Sequence, residues 1–424
     1  MVTISVKFKL ELTKEQKQKI LDLAKKYRDA FNEVSEYASN NRVFDHISLH
    51  KALYYKLKEK YGFQSQIAIS VIREIAQHYD SVFNQLAEKF NISKRNRKRL
   101  IELFYREIGK PIRRKKLIVK LVKRRSYDLK LNPRVCSISV IGKRLKKIPY
   151  YGWNKHYEYL EKYGYGDAIL YYERSNRLWY LIVSVDVPDK ELKPKKVVGV
   201  DINEPSDSFV ALHDSLGKSK LIEFSQQVLR LKSHYQKLRS QLQSKGTRSA
   251  KRRLLSLSGV EKWLVRNFLH VVAKKIVVED SPCVFGLEDL KGIREFRDNN
   301  AKFKGEKRRL FSQWCFGELQ TLIEYKAKLY GSKVVYVNPQ YTSISCPVCG
   351  YTAKENRDGK EFECKNCGFK EHADVVGAKN IMLRVLKSLQ NGAFVSRPDA
   401  PSPLGEVEQA PALQGGVADT EPRH

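Results

Sequence analysis

Four cysteines and three carboxylates are the residues in this 424-residue chain whose types and spacing point to chemistry. Cys346 and Cys349 form one Cys-x-x-Cys pair, Cys364 and Cys367 a second, and fourteen residues separate the two. A two-residue gap lets both thiolates of a pair face one ion, and two pairs complete a tetrahedral zinc shell. Four thiolates close that shell, so the zinc is expected to be structural; His372 would only add a fifth ligand.

Catalytic chemistry is therefore sought among the acids. Asp201 ends "VVGVD" and Glu288 ends "CVFGLE", two runs apolar on both faces, as central sheet strands are. A carboxylate at the end of such a run is desolvated unless a cation or hydrogen-bond donors compensate. Asp374 opens a last helix in which Ala378, Ile381, Val385 and Leu389 recur at helical spacing, which puts the aspartate on the core-facing side. Three oxygen ligands meeting at a sheet edge suit Mg²⁺ or Mn²⁺. Two such ions can activate a water and hold a leaving 3′ oxygen. Each acid also has an ordinary structural reading: Asp374 as a helix N-cap, Asp201 as the start of a turn before Pro205, Glu288 as a surface residue beside Asp289. Their joint order on strand, strand and helix of one sheet favours the metal site.

The elements that must position these groups follow from periodicity. An opening strand precedes a helical pattern from about Lys14 to Phe90, with a second helix starting near Ser65 as its N-cap. A stretch rich in arginine around Pro111 reads as a phosphate-contacting surface. Between Tyr127 and Val187 the pattern turns to short strands, and "PDKELKPKK" reads as a linker. Beyond it, three strands, a long basic helical region, and then strand, helix, strand and helix give the order of an RNase H-like α/β sheet. The last segment, 391–424, has the composition of a disordered tail.

Composition sets the partner class. Eighty Lys and Arg against 47 Asp and Glu leave a formal charge of +33. Ion-pair networks would balance the lysines with glutamates, so the excess points to a polyanion, and nucleic acid gains most from such a surface by counterion release. A ribosome-associated protein or a generic RNA binder shares that charge. No apolar run reaches the roughly 18 residues of a membrane span, and the opening residues lack a signal core. The scattered Cys136, Cys283 and Cys315 do not form a secreted disulfide framework, which fits a reducing cell interior.

At "GVDIN", "GLEDL", "YTSISCPVCG", "CKNCG" and "HADVVGAKNI", in that order, with "QWCFGELQTLIEYKAKLYGSKVVYVNP" just upstream, the sequence resembles the TnpB (OrfB) family of transposon-encoded, RNA-guided nucleases, relatives of compact type V CRISPR effectors. The similarity is clear from about Val197 to Leu389 and weaker before it. It implies an α/β multidomain fold: a β wedge domain over 1–12 and 121–190, interrupted by a helical recognition domain over 13–120. A RuvC-like nuclease domain follows over 191–390, with the zinc ribbon inserted at 342–370. It further implies a catalytic, Mg²⁺- or Mn²⁺-binding triad at Asp201, Glu288 and Asp374, and zinc ligands at Cys346, Cys349, Cys364 and Cys367. The partners implied are a guide RNA from the element's end and double-stranded target DNA carrying a short adjacent motif, with Gln66 and Arg73 as candidate contacts. The setting is the prokaryotic cytoplasm, at the nucleoid when DNA is bound. Asn203 stands where many relatives have glycine, and Gly377 where Asn-Ala is usual; neither removes a ligand. Two rivals are a guide-dependent DNA-binding regulator that does not cut and a transposase, whose acids usually run Asp, Asp, Glu.

Overall fold

The computed structural model describes residues 1–174, 176–188, 192–203, 208–223, 225–257, 260–290 and 316–391. The chain divides into two compact units, one built on Thr3–Val187 and the other from Pro188 onward. The tail expected at 391–424 lies, after Asn391, outside the described residues.

In the first unit, β1 (Val2–Leu10) leads into helices α1 (Lys14–Asn40), α2 (His46–Tyr61), α3 (Ser65–Lys89) and α4 (Arg97–Glu107). Strands β2 (Ile118–Leu121), β3 (Tyr127–Lys130), β4 (Val135–Ser139), β5 (Arg144–Tyr151), β6 (Ala168–Glu173) and β7 (Leu178–Val187) follow, with α5 (Asn154–Tyr163) between β5 and β6. They form one seven-stranded sheet in the order β2-β6-β7-β1-β5-β4-β3, so the N-terminal strand lies at its centre although four helices separate it from the rest. Helix α1 starts at a capping box in which Thr13 and Gln16 satisfy each other's backbone N–H groups.

The helical stretch read from Lys14 to Phe90 is broken more often than its periodicity suggests. Asp45 caps α2 by accepting from the Ser48 N–H, and Gly62 ends that helix at φ 68°. The N-cap of α3 is Gln64, not Ser65, which is already helical; no side chain caps that end. Glu74 of α3 is almost fully buried and accepts two bonds from the Arg114 guanidinium (2.8 and 2.9 Å) and one from the Tyr27 hydroxyl (3.0 Å). Removing either charged partner, Glu74 or Arg114, would leave the other a buried charge without its main partner, at a typical cost of about 3–5 kcal/mol.

The second unit holds a five-stranded sheet, order β10-β9-β8-β11-β12. Its strands are β8 (Val197–Ile202), β9 (Val210–Asp214), β10 (Ser219–Ile222), β11 (Val284–Glu288) and β12 (Lys333–Val337). β8, β9 and β10 run antiparallel, whereas β8, β11 and β12 are parallel. The long basic region is three helices, α6 (Gln226–Lys245), α7 (Arg248–Leu257) and α8 (Val260–Asp280), and α9 (Phe316–Leu329) precedes β12. The short strands β13 (Arg357–Asp358), β14 (Glu361–Glu363) and β15 (Lys370–His372) then lead into α10 (Ala373–Gln390).

Strand alternation splits the core in two. Val198, Val200, Phe285, Leu287 and Tyr336 pack with Leu269, Val272 and Ile276 of α8 and with Leu319, Leu322 and Ile323 of α9. Val197, Val284, Val335 and Val337 face the other way, onto Ile381, Met382 and Val385 of α10. Side chains two apart on a strand share a face, so Asp201 and Glu288 belong to the α10 side.

Candidate functional site

On that face α10 lies unusually close to β8. A Cβ on Gly199 would fall 2.0 Å from the Ala378 carbonyl and 2.7 Å from the Met382 nitrogen, so only glycine fits there. Gly286, two residues before Glu288, sits against Val385 and Ile381. Because β8 and β11 are parallel and in register, with Leu287 beside Val200, their terminal carboxylates emerge at one edge.

Asp374 joins them from the first turn of α10, fully buried. It is not the N-cap; His372 holds that position, its Nδ1 accepting from the Asp374 N–H at 3.3 Å. Gly377, one turn on, packs against the first acid: a Cβ there would lie 2.7 Å from Asp201 Oδ2. Asn203 Nδ2 donates to the same oxygen at 3.2 Å. Both positions that depart from the TnpB pattern therefore touch Asp201.

The three carboxyls differ in electrostatics. Burial, followed by the charges of Glu288 and Asp374, pushes Asp201 up to about 8. Burial also raises Glu288, against the Thr342 hydroxyl 2.5 Å from its Oε1 and the nearby Arg384 charge. Asp374 goes down: burial opposes its ionisation, but Lys360 Nζ at 2.5 Å from Oδ2, the Ser208 hydroxyl on the same oxygen and Arg357 Nη2 at 3.0 Å from Oδ1 outweigh it. Among the described residues, the four cysteines bring one sulfur each within 4.8 Å of one another, and the three acids do not bring one oxygen each so close. Two ions about 3.5–4 Å apart, each bound to oxygen at about 2 Å, need ligand atoms spread more widely than that, and an all-oxygen donor set carrying two or three negative charges fits Mg²⁺ or Mn²⁺.

The cysteines form a closed knot. Cys346 and Cys367 sulfurs stand 3.6 Å apart, as do those of Cys349 and Cys364. Tetrahedral Zn–S bonds of about 2.3 Å imply roughly 3.8 Å between sulfurs, so the cluster fits zinc. The Tyr351 N–H, followed by the Asn366 amide, holds the Cys349 thiol down at about 6. The Phe369 N–H favours ionisation of Cys367, but burial and the neighbouring sulfurs carry it up to about 12. Four thiols this close do not all ionise without a cation between them. Phe362 packs with Ala373 and Val376 at the start of α10. The β13–β14 hairpin pairs Arg357 with Phe362, and Arg357 and Lys360 reach Asp374 from it.

Sequence reasoning missed Ser208, Arg357, Lys360 and Thr342. Thr342 stands inside the "YTSISC" motif, but the other three carry no spacing signal, because the folded ribbon brings Arg357 and Lys360 to Asp374 and Ser208 reaches it from just before β9.

In the first unit, Gln66 is partly buried and accepts from Arg125 Nη1 at 3.1 Å, while Arg73 is exposed. Arg73 lines a concavity of about 350 Å³ together with Gln77 and Lys120, which bond each other at 3.1 Å. Gln77 is one turn after Arg73 on α3, a face the sequence reading did not follow further. No helix among the described residues is long and apolar enough to cross a membrane.

Residues 316–381 match the Cas12f1-like TNB domain. Over 223 residues the chain is 33% identical to a TnpB-like protein of Methanocaldococcus jannaschii, covering 50% of this chain and 78% of that one. Over 220 residues it is 29% identical to the CRISPR-associated endodeoxyribonuclease Cas12f1 of Syntrophomonas palmitatica, covering 48% of this chain and 42% of that protein, so the match spans less than half of the latter's length. The fold resembles Cas12f1 in a cryo-EM structure of its complex with single guide RNA and target DNA, with a TM-score of 0.54 at 16% identity over 86% of this chain and 83% of the other. Shared sequence across most of the archaeal relative, joined to the ribbon match and the common fold, makes this chain a member of the TnpB-like family of compact type V effectors.

Proposed function

We propose that the chain is an RNA-guided DNA endonuclease that hydrolyses phosphodiester bonds with divalent ions held by Asp201, Glu288 and Asp374. The observation that carries the reading is the meeting of these acids: two end adjacent parallel strands on the face covered by α10, the third stands in that helix's first turn, and the charges of the other two help hold the proton on Asp201. The sheet order, three antiparallel strands and then two parallel ones, supports a RuvC-like assignment for the second unit.

Divalent ions bound there would supply an activated water and a charge clamp on the leaving 3′ oxygen. The protein's own groups prepare the site. Asp201 must release its proton to act as a ligand, because burial holds it near 8. Asp374 Oδ2 accepts from both Ser208 and Lys360, so coordination through that oxygen requires the half-exposed Lys360 to withdraw. Thr342 fixes one Glu288 oxygen while Gln320 Nε2 donates to the Glu288 carbonyl at 2.8 Å, which holds the strand end.

In this reading the sheet of 1–12 and 121–190 and the helices of 13–120 serve as wedge and recognition domains, with Arg73, Gln77, Lys120 and Gln66 near a short target-adjacent duplex. The excess positive charge holds the guide RNA and its hybrid with DNA, whose sequence is read by base pairing. One observation favours a second reading, guide-dependent DNA binding without cutting: Asp374 is already neutralised by two cations.

The protein purified with its RNA, given matching DNA and Mg²⁺, separates the two. Cleavage should fall about a hundred- to a thousandfold in Asp201→Ala, Glu288→Ala and Asp374→Ala, the scale of losing one preorganised transition-state contact, with RNA binding nearly intact. Binding without any cleavage by the wild type would establish the regulator instead.

A further inference from the structure

The segment that joins β12 to the ribbon is pinned along its length. Arg384 donates to the Asn338 carbonyl and, at 2.6 Å, to that of Gln340. Asn380 Nδ2 reaches the carbonyls of Thr342 (2.7 Å) and Ser345 (2.8 Å), and the Thr342 hydroxyl touches Glu288. Between these anchors stands Tyr341, with φ at 62° and 61% of its surface exposed.

That combination is unusual. The left-handed region suits glycine and asparagine, and a bulky aromatic there is an outlier. The backbone role is ordinary: the Tyr341 carbonyl accepts from the N–H groups of Ile344 (3.3 Å) and Ser345 (3.0 Å), which glycine would do with less strain. Nor does packing explain the ring, since it is mostly exposed and, among the described residues, stacks on no other ring. Strain of this kind persists where surrounding structure imposes it, and it clusters at sites of function. Here the imposed ring sits one residue from the hydroxyl that touches Glu288.

We propose that Tyr341 is a positioning residue: a stacking platform for a base of the single nucleic-acid strand that enters the carboxylate cluster. An aromatic face accepts any base, so it would set the path of the strand without selecting sequence. Held on a segment tied to α10 and β11, the ring fixes the distance between the stacked base and the acids. The inference rests on the nuclease reading.

The test uses the full protein with its copurified RNA and guide-matched DNA, in an Asp201→Ala background, and a single-stranded oligonucleotide carrying 2-aminopurine. Tyr341→Gly should weaken binding about 5- to 100-fold, the range of one lost base–aromatic stack, and should abolish the quenching of the probe. Tyr341→Phe should bind within about twofold of the parent, since the ring and not the hydroxyl carries the contact. Relief of backbone strain should raise the Tm of Tyr341→Gly, which a residue kept for packing would not do. In the cutting-competent protein, the glycine variant should raise KM more than it lowers kcat. Unchanged affinity in Tyr341→Gly, an equal loss in Tyr341→Phe, or a lowered Tm in the glycine variant overturns the proposal. Failure of the nuclease reading would appear separately, as absence of cutting by the parent protein.

Discussion

The thiolate knot and the carboxylate cluster occupy the same unit and are built in opposite ways. Four sulfurs are drawn together within 4.8 Å, and two tight knuckles gather them without help from the sheet. The three acids come from β8, β11 and α10 and remain farther apart, one holding a proton and one held by cations. A closed soft-ligand site contributes folding energy, whereas an open hard-ligand site keeps charges unsatisfied for chemistry. The two are joined, because Arg357 and Lys360 belong to the hairpin beside the knot and pair with Asp374. The ribbon's place in the sequence thus has a physical reason: it buttresses the start of α10 through Phe362 and supplies that helix's acid with its counter-charges.

The largest expected break of this contrast is Cys364→Ser. It removes one of four zinc ligands, and structural zinc contributes on the order of 10 kcal/mol to such small units. Bound zinc, measured by metal analysis, should be lost, the ribbon should become protease-sensitive, and cleavage should fall with it as Asp374 loses both partners. Survival of full cleavage would separate the two regions.

Gly377→Ala sharpens the contrast from the other side. The added methyl would lie 2.7 Å from Asp201 Oδ2 in a packed helix–strand contact, and overpacking costs about 1–3 kcal/mol. Cleavage should drop by about one to two orders of magnitude, the rate equivalent of that energy, while zinc content stays unchanged. A variant as active as the parent would show that α10 moves away from β8 at no cost.

The last test is in pH. Asp201 has a folded-state pKa raised to about 8 from an ordinary value near 3.8. The folded protein therefore binds the extra proton between those values, and stability without divalent ions should fall as pH rises from about 4 toward 8, then level off. Asp201→Asn should flatten that slope in thermal melts. Added Mn²⁺ should stabilise the parent at pH 8 and the asparagine variant much less, with the zinc knot indifferent to both changes. An identical slope in the two proteins would remove Asp201 as its source.

Much of this was legible in the residues. "VVGVD" and "CVFGLE" read as buried strands because burial on both faces leaves no polar position to interrupt them, and the inward face of α10 was visible in Ala378, Ile381 and Val385. The helix starting near Ser65 was visible too, but α2 and its boundaries were not, because Asp45 and Gly62 interrupt a stretch that is amphipathic on either side. The capping of α10 by His372 was equally hidden, since its ring nitrogen does work usually given to Ser, Thr, Asp or Asn.

The sequence by itself determined which groups can bind metal and of what kind, because ligand softness is a property of residue type and a Cys-x-x-Cys turn closes locally. It also determined that Asp201 and Glu288 end apolar strands. Only the tertiary structure decided that Asp374 is met by Lys360, Arg357 and Ser208, that Gly377 and Asn203 both press on Asp201, and that Tyr341 is held in a left-handed conformation beside Glu288's partner. These contacts join segments far apart in the chain, and their proximity comes from the packing of α10 and the ribbon onto the sheet, which no local pattern records.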